Sequence, residues 1–267
     1  MLISVLHRTR YAYEKPARYS VETLRLTPSE HEGQRIVEWA IEAPSFDKAI
    51  RFRDGFGNTV HQIAVSGSHE EIVVEVRGIV DCRDTAGIVK GLVEVAPPRV
   101  FLRFTPQTTP SGEIVDLARA VHGRDTLERL HGLMSAIRDR IDYQAGETHS
   151  HTSAAEALND GKGVCQDHAH VMITAARALS IPARYITGYL IGEAEAGHAW
   201  VEAWVEGLGW VSFDPANRIC PTDHYVRLAA GLDATTAAPI RGAHRGGDGE
   251  RLDVVVEVAQ QSAQQQS

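Results

Sequence analysis

Cysteine is scarce in this 267-residue chain: Cys82, Cys165 and Cys220 are the whole set, odd in number, scattered, and in no Cys-x-x-Cys spacing. That pattern speaks against a disulfide framework and leaves at least one thiol free within a monomer. Basic charge is also in short supply, with 27 Lys and Arg against 35 Asp and Glu for a formal net charge of −8. The chain has no overall basic excess with which to neutralise a phosphate backbone, so nucleic acid is not an expected partner. No run approaches the roughly 18 apolar residues of a membrane span, and the opening Met-Leu-Ile-Ser-Val-Leu-His-Arg lacks a basic segment followed by a long apolar stretch. These absences predict a soluble, cytoplasmic protein with no membrane partner. Apolar residues are not lacking, at 43% of the chain, enough to bury the core of one large domain or two ordinary ones.

From residue 1 to about 100 the sequence reads as short strands, among them Leu2 to Tyr13, Ser20 to Thr27, Ile36 to Glu42, Asn58 to Val65 and Glu71 to Asp81, parted by turn clusters such as Asp54-Gly55-Phe56-Gly57-Asn58, with a domain boundary expected near 105. An all-β sandwich is predicted over 1–105. Pro97-Pro98 and the prolines at 106 and 110 break the pattern, and helical periodicity follows. Leu127, Leu130, Met134, Ile137 and Ile141 recur at spacings of three and four behind Asp125, a good N-cap. Ser153-Ala154-Ala155-Glu156 has the form of a capping box, opening a short helix that ends by Gly161. Another helix starts near Gln166, with Ala169, Met172, Ile173, Ala176 and Leu179 on one face, and stops before Pro182. Tyr185 to Ile191, His198 to Glu206 and Trp210 to Phe213 then read as strands, with Gly207-Leu208-Gly209 as a reversal. Helices followed by a meander predict an α+β core over 106–258. Within it, 229–249 reads as a long surface excursion, Arg251 to Val258 as a final strand, and 259–267 as a disordered Gln/Ser tail.

Cys165 lies in Gly161-Lys162-Gly163-Val164-Cys165-Gln166-Asp167-His168-Ala169-His170, at the predicted helix N-terminus. The partial positive charge there favours a thiolate, and a neighbouring imidazolium does so more strongly. His198 and Asp214 follow in order, so the chain offers a nucleophile, a base and a carboxylate to orient the base. The glycines at 161 and 163 permit a sharp entry into the helix and aim the Cys165 amide at the attacked group as half an oxyanion hole. Tyr143 and the Gln166 amide are the candidates for its second donor. His198 and Asp214 share parity, hence a sheet face. A three-residue loop centred on Leu208 sets Asp214 opposite Glu202, leaving His198 about 13 Å along the strand. Direct pairing therefore requires a reversal nearer Glu206, a bulge or strong twist, and Glu202 is the rival orienter.

Trp200, Trp204 and Trp210 share the parity of His198; a packed sheet core is the favoured reading over a cleft wall, and the two roles are compatible, so Trp200 is also a substrate-binding candidate, with His168, Gln166 and Tyr143. Cys165-x-x-His168-x-His170 and His149-x-His151 bring zinc to mind, but residues 165, 168 and 170 do not all share one helix face, and structural sites usually bring paired ligands from two segments. No metal and no cofactor is expected. His168 and His170 read as site-lining or packing residues.

Taken together, Gly-Val-Cys-Gln-Asp-His-Ala-His, Ile-Pro-Ala-Arg-Tyr-Ile-Thr-Gly-Tyr, His-Ala-Trp-Val-Glu and Gly-Trp-Val-Ser-Phe-Asp-Pro-Ala-Asn resemble the bacterial transglutaminase-like family. The opening His7-x-Thr9-x-Tyr11-x-Tyr13 through Leu24-Arg25-Leu26-Thr27-Pro28 resembles the β-sandwich that precedes the core in that family. The resemblance implies a papain-like core with Cys165 as nucleophile, His198 as acid/base and Asp214 as orienter. It implies action on amide bonds of a peptide or protein substrate through a thioester. Hydrolysis is expected in preference to amine transfer because the sequence shows no obvious second groove for a protein amine donor; an amine-transferring transglutaminase or acyltransferase, or a noncatalytic peptide-binding module, is the alternative. His168 departs from the aromatic expected at its position, which would alter pocket polarity.

Overall fold

The computed structural model describes residues 1–192 and 197–261. In chain order the strands are β1 (Leu2–Leu24), β2 (Gln34–Glu42), β3 (Ile50–Arg53), β4 (Thr59–Cys82), β5 (Ile88–Val89), β6 (Asp142–Tyr143), β7 (Lys162–Gly163), β8 (Ala183–Leu190), β9 (His198–Val205), β10 (Gly209–Phe213), β11 (Tyr225–Gly231), β12 (Ile240–Gly246) and β13 (Arg251–Gln260). The helices are α1 (Gly112–Ala120), α2 (Thr126–Arg140), α3 (Ala154–Asp160) and α4 (Cys165–Ala178).

Helix boundaries follow their local chemistry. Asp125 accepts the Glu128 N–H at 2.8 Å and starts α2 where the sequence predicts. Ser153 and Glu156 form the capping box of α3, which ends at Gly161 in a left-handed conformation (φ 65°). The strands show more tertiary influence. β1 and β4 are each long and continuous rather than broken into pairs of short strands, and they run antiparallel along most of their length with an irregularity between Ala12 and Ala17.

Two main antiparallel sheets result. The first has the order β12-β1-β4-β2, with β13 also on β1 and β3 also on β4; the second runs β11-β8-β9-β10-β5. Alternation along β9 assigns the two faces of the second sheet. Ala199, Val201, Ala203 and Val205 pack with Leu130, Ile137, Met172 and Ile173 of the helices. On the opposite side, Tyr189, Val226 and Leu228 of this sheet join Ile3, Val5, Ile72 and Val76 of the first. The second sheet is thus a middle layer, with helices on one face and the strand-rich N-terminal part on the other, an α+β arrangement.

The sheets do not divide at the expected points. β5 lies before residue 105 yet pairs with β10, while β12 and β13 return to pair with β1. The excursion expected over 229–249 therefore contains the end of β11 and all of β12, because pairing with a distant strand supplied backbone partners that no local pattern announces. Ala259 and Gln260, expected in the tail, complete β13 opposite Ser4 and Ile3; residues 262–267 of that tail lie outside the described residues. Among the described residues no helix is long and apolar enough to cross a membrane.

Candidate active site

Cys165 is the first residue of α4, behind Val164 as N-cap. Two features fix that entry. The Asp167 carboxylate, fully buried, turns back to accept the Val164 N–H at 2.8 Å and the Thr148 hydroxyl at 2.6 Å. Gly163 makes room for it, since a Cβ there would meet the Asp167 side chain at 2.6 Å. On the other side β7 pairs in parallel with β6, and the Gln144 N–H donates to the Gly163 carbonyl, which sets Tyr143 beside the thiol segment.

His198 opens β9 and Asp214 follows directly on β10. Gly209 pairs with Val205, so the reversal is centred on Gly207 rather than Leu208, and Phe213 pairs with Val201. The next row sets Asp214 against Trp200, two residues from His198 on the same face, a diagonal that side chains span. His198 Nε2 and Asp214 Oδ2 meet at 2.7 Å, both residues buried. The distance anticipated from a Leu208-centred loop is removed by a one-residue change of turn.

Asp214 is saturated with donors. Oδ2 also accepts from Asn217 Nδ2 at 2.8 Å and from the Tyr225 hydroxyl at 2.7 Å, while Oδ1 accepts the N–H groups of Ala216 and Asn217 at 3.0 and 3.2 Å. Burial pushes its carboxyl up, but the hydrogen bonds and charge of His198, with Asn217 and Tyr225, outweigh it and hold the group below the usual carboxylate range. The bond to Asp214 engages Nε2 and so fixes the orientation of the His198 ring.

Cys165 and His198 line one cleft of about 890 Å³, together with Tyr143, Gln166, Tyr185 and Arg241 among others. Cys165 is partly exposed in it. Tyr143 and Gln166, the two candidates for a second oxyanion donor, both lie on this cleft.

Other expected site residues fall elsewhere. Trp200 does not line the cleft; it is buried behind His198, its ring stacked at 6.2 Å and edge-on to Tyr225 at 5.5 Å. His168 is likewise off the cleft wall, fully buried with Nδ1 and Nε2 at 2.9 and 3.1 Å from the carbonyls of Val164 and Ile141, and stacked under Tyr143. It ties the start of α4 to the end of α2 and leaves pocket polarity alone, because a helix side chain three positions beyond Cys165 points back under the N-terminal turn. Glu202 is not the orienter: it is bound by Arg184 and Arg227. Burial pushes Glu202 up, yet those two guanidinium charges prevail and hold it at about 2.

Among the described residues no group of three His, Cys, Asp or Glu is placed to hold a metal ion. His151 lines the cleft, whereas His170 lies beneath it and accepts the Ala234 N–H on Nε2 at 3.1 Å, anchoring the wall formed by residues 234–239. Tyr225 and Asn217 are the contributors that sequence reasoning missed. Asn217 stands in the quoted Phe-Asp-Pro-Ala-Asn segment, where an Asn three residues after an Asp could have been read as closing a turn on it; Tyr225 has no local signal, since β11 reaches the site by pairing with β8.

Comparison with known proteins identifies the family and the fold. The family model described as the transglutaminase-like superfamily matches residues 115–215, and that of the bacterial transglutaminase-like N-terminal region matches residues 3–81. An uncharacterised protein of Mycobacterium leprae is 30% identical over 272 residues, covering 95% of this chain and 97% of that protein. A protein-glutamine gamma-glutamyltransferase of Pseudomonas aeruginosa is 30% identical over 135 residues, 42% of this chain and 20% of that enzyme. The crystal structure of a candidate cysteine protease from Cytophaga hutchinsonii shares the fold with a TM-score of 0.76 at 24% identity, over 97% of this chain and 90% of that one. With both parts matched in order and a full-length relative at this identity, the chain belongs to the bacterial transglutaminase-like family.

Proposed function

We propose that this protein is a thiol-dependent amide hydrolase acting on peptides or proteins, with Cys165, His198 and Asp214 as its catalytic set. The observation that carries the reading is the buried 2.7 Å bond from Asp214 to His198, which lines the cleft that also presents Cys165. In this reading His198 Nδ1 takes the thiol proton and the Cys165 sulfur attacks the amide carbonyl. The amide of Cys165, at the first turn of α4, donates to the resulting oxyanion, with the Gln166 amide or Tyr143 as second donor. Collapse breaks the C–N bond as His198 returns the proton to the departing amine, leaving a thioester on Cys165. Water, activated by the same imidazole, then releases the acid. Cys165 is partly exposed in the cleft, which leaves its thioester open to water.

Amine transfer is the second reading, favoured by the likeness to the gamma-glutamyltransferase. It differs only in the group that resolves the thioester. Mass spectrometry of glutamine-containing and other peptides, incubated with the protein with and without a primary amine, separates them. Hydrolysed product dominating in the presence of amine supports the proposal; a dominant amine adduct transfers the assignment to the second reading, and turnover that survives Cys165→Ala refutes both.

A further inference from the structure

A second pocket, of about 310 Å³, shares no lining residue with the cleft. Its walls come from residues 27–30, from β3 and the turn into β4, and from the irregular stretch 91–94; its floor is Arg184 of β8 and Arg227 of β11. Arg184 and Arg227 are 1% and 5% exposed. Guanidinium groups stay charged at any ordinary pH, so burying two of them demands compensation. Glu202 supplies one carboxylate for both, accepting from Arg184 Nε at 2.6 Å and from Arg227 Nε and Nη2 at 2.7 and 3.2 Å. Arg184 also lies over the Trp210 ring at 3.9 Å, and Arg227 Nη1 donates to the Ser29 hydroxyl. These contacts fix both groups without matching their second charge.

That second charge is met by Glu94, whose character differs from that of Glu202. Its side chain is 40% exposed and reaches Arg184 Nη1 and Nη2 at 3.2 to 3.4 Å, longer than the usual 2.7–2.9 Å or so of a charge-assisted bond. On the rim, Arg51 and Arg53 are exposed and make no ion pair among the described residues; Arg53 donates to the Gly57 carbonyl. Thr27, Ser29 and Thr59 add hydroxyls, and the rim acid Glu30 already accepts the Ile36 N–H. Four guanidiniums thus surround one pocket of a chain whose net charge is −8.

We propose that this pocket binds a multivalent oxyanion of phosphate chemistry, its phosphoryl oxygens replacing Glu94 on Arg184 and meeting Arg51 and Arg53 at the rim. Guanidinium forks donate to carboxylate and phosphate oxygens alike. A lone carboxylate would exchange like for like with Glu94, whereas a phosphoryl group brings more charge and a third oxygen to the rim arginines.

Isothermal titration of the full chain with inorganic phosphate and with pyrophosphate, at constant ionic strength against chloride, tests it. Saturable one-to-one binding is expected. The double variant Arg51→Ala/Arg53→Ala, altered only at exposed positions, should keep the wild-type Tm and lose at least about tenfold in affinity, near 1.4 kcal/mol. Glu94→Gln, which removes the competing charge, should bind more tightly than wild type. No saturable binding of either anion, undiminished affinity in the double variant, or citrate binding as tightly as pyrophosphate would each overturn the proposal.

Discussion

Replacing Asp214 by Asn asks whether this carboxylate acts on His198 through its charge or merely occupies space. The two side chains are nearly isosteric, but the site offers donors to both oxygens: His198, Asn217 and Tyr225 to Oδ2, and two backbone N–H groups to Oδ1. An amide has a single oxygen, so either orientation turns its NH₂ toward other donors. A hydrogen bond to a charged group contributes about 1.5–3 kcal/mol, and its loss lowers the population of the imidazolium paired with a thiolate by roughly 10- to 150-fold. Alkylation of Cys165 by iodoacetamide at neutral pH, followed by peptide mapping, should slow by that factor in Asp214→Asn, with His198→Ala setting the floor. Circular dichroism and Tm establish that the variant is folded. A folded Asp214→Asn protein whose Cys165 reacts within about twofold of wild type would refute the reasoning. Acid does not mimic the substitution at moderate pH: the folded-state pKa of Asp214 is depressed, so its contribution is complete above the unfolded value near 3.9 or so and is lost only as pH falls through the lower folded one.

Thiol selectivity follows from burial. Cys82 is 1% exposed and burial pushes its thiol up to about 12, and burial also raises Cys220; in one sample below pH 8, Cys165 should be the first to label, and equal rates at all three positions would contradict its placement at an accessible helix start. Glu22 is a different kind of acid: desolvation, then repulsion from Glu250, raises it from 4.5 to about 7. Because its folded pKa is raised, the native state binds more protons than the unfolded one between those values, and stability declines as pH climbs through the window. Denaturant unfolding at pH 5 and pH 8 should therefore show about 1–2 kcal/mol more loss in wild type than in Glu22→Gln, after allowing for solvent screening; an identical pH dependence in both proteins would show that Glu22 carries no such penalty.

Much of the site is legible in the sequence because its decisive features are local. The Gly-x-Gly run before Cys165, the Ser153 capping box and the periodicity of α2 each depend on neighbours within four residues, and each element forms where those neighbours direct it. Given an unbulged hairpin with an odd-membered turn, strand parity puts His198 and Asp214 on one face, and the observed pairing meets that condition.

Register, depth and the third layer were decided by tertiary structure. Whether the reversal centres on Gly207 or Leu208 is a small local difference, settled when β10 pairs with β9 and β5, and it alone brings Asp214 to His198. His168 and Trp200 leave the cleft because the packing of α4 on α2 and of the sheet on Tyr225 claims their rings, a choice between two allowed sides that composition does not encode. Tyr225, β12 and β13 come from strands paired across long separations, as does Arg227 of the second pocket. The amino-acid sequence determined the chemistry available to this protein, the helix that presents Cys165 and the face that holds its partners. Long-range hydrogen bonding and burial chose among near-equal local alternatives, and so decided which of the candidate residues meet.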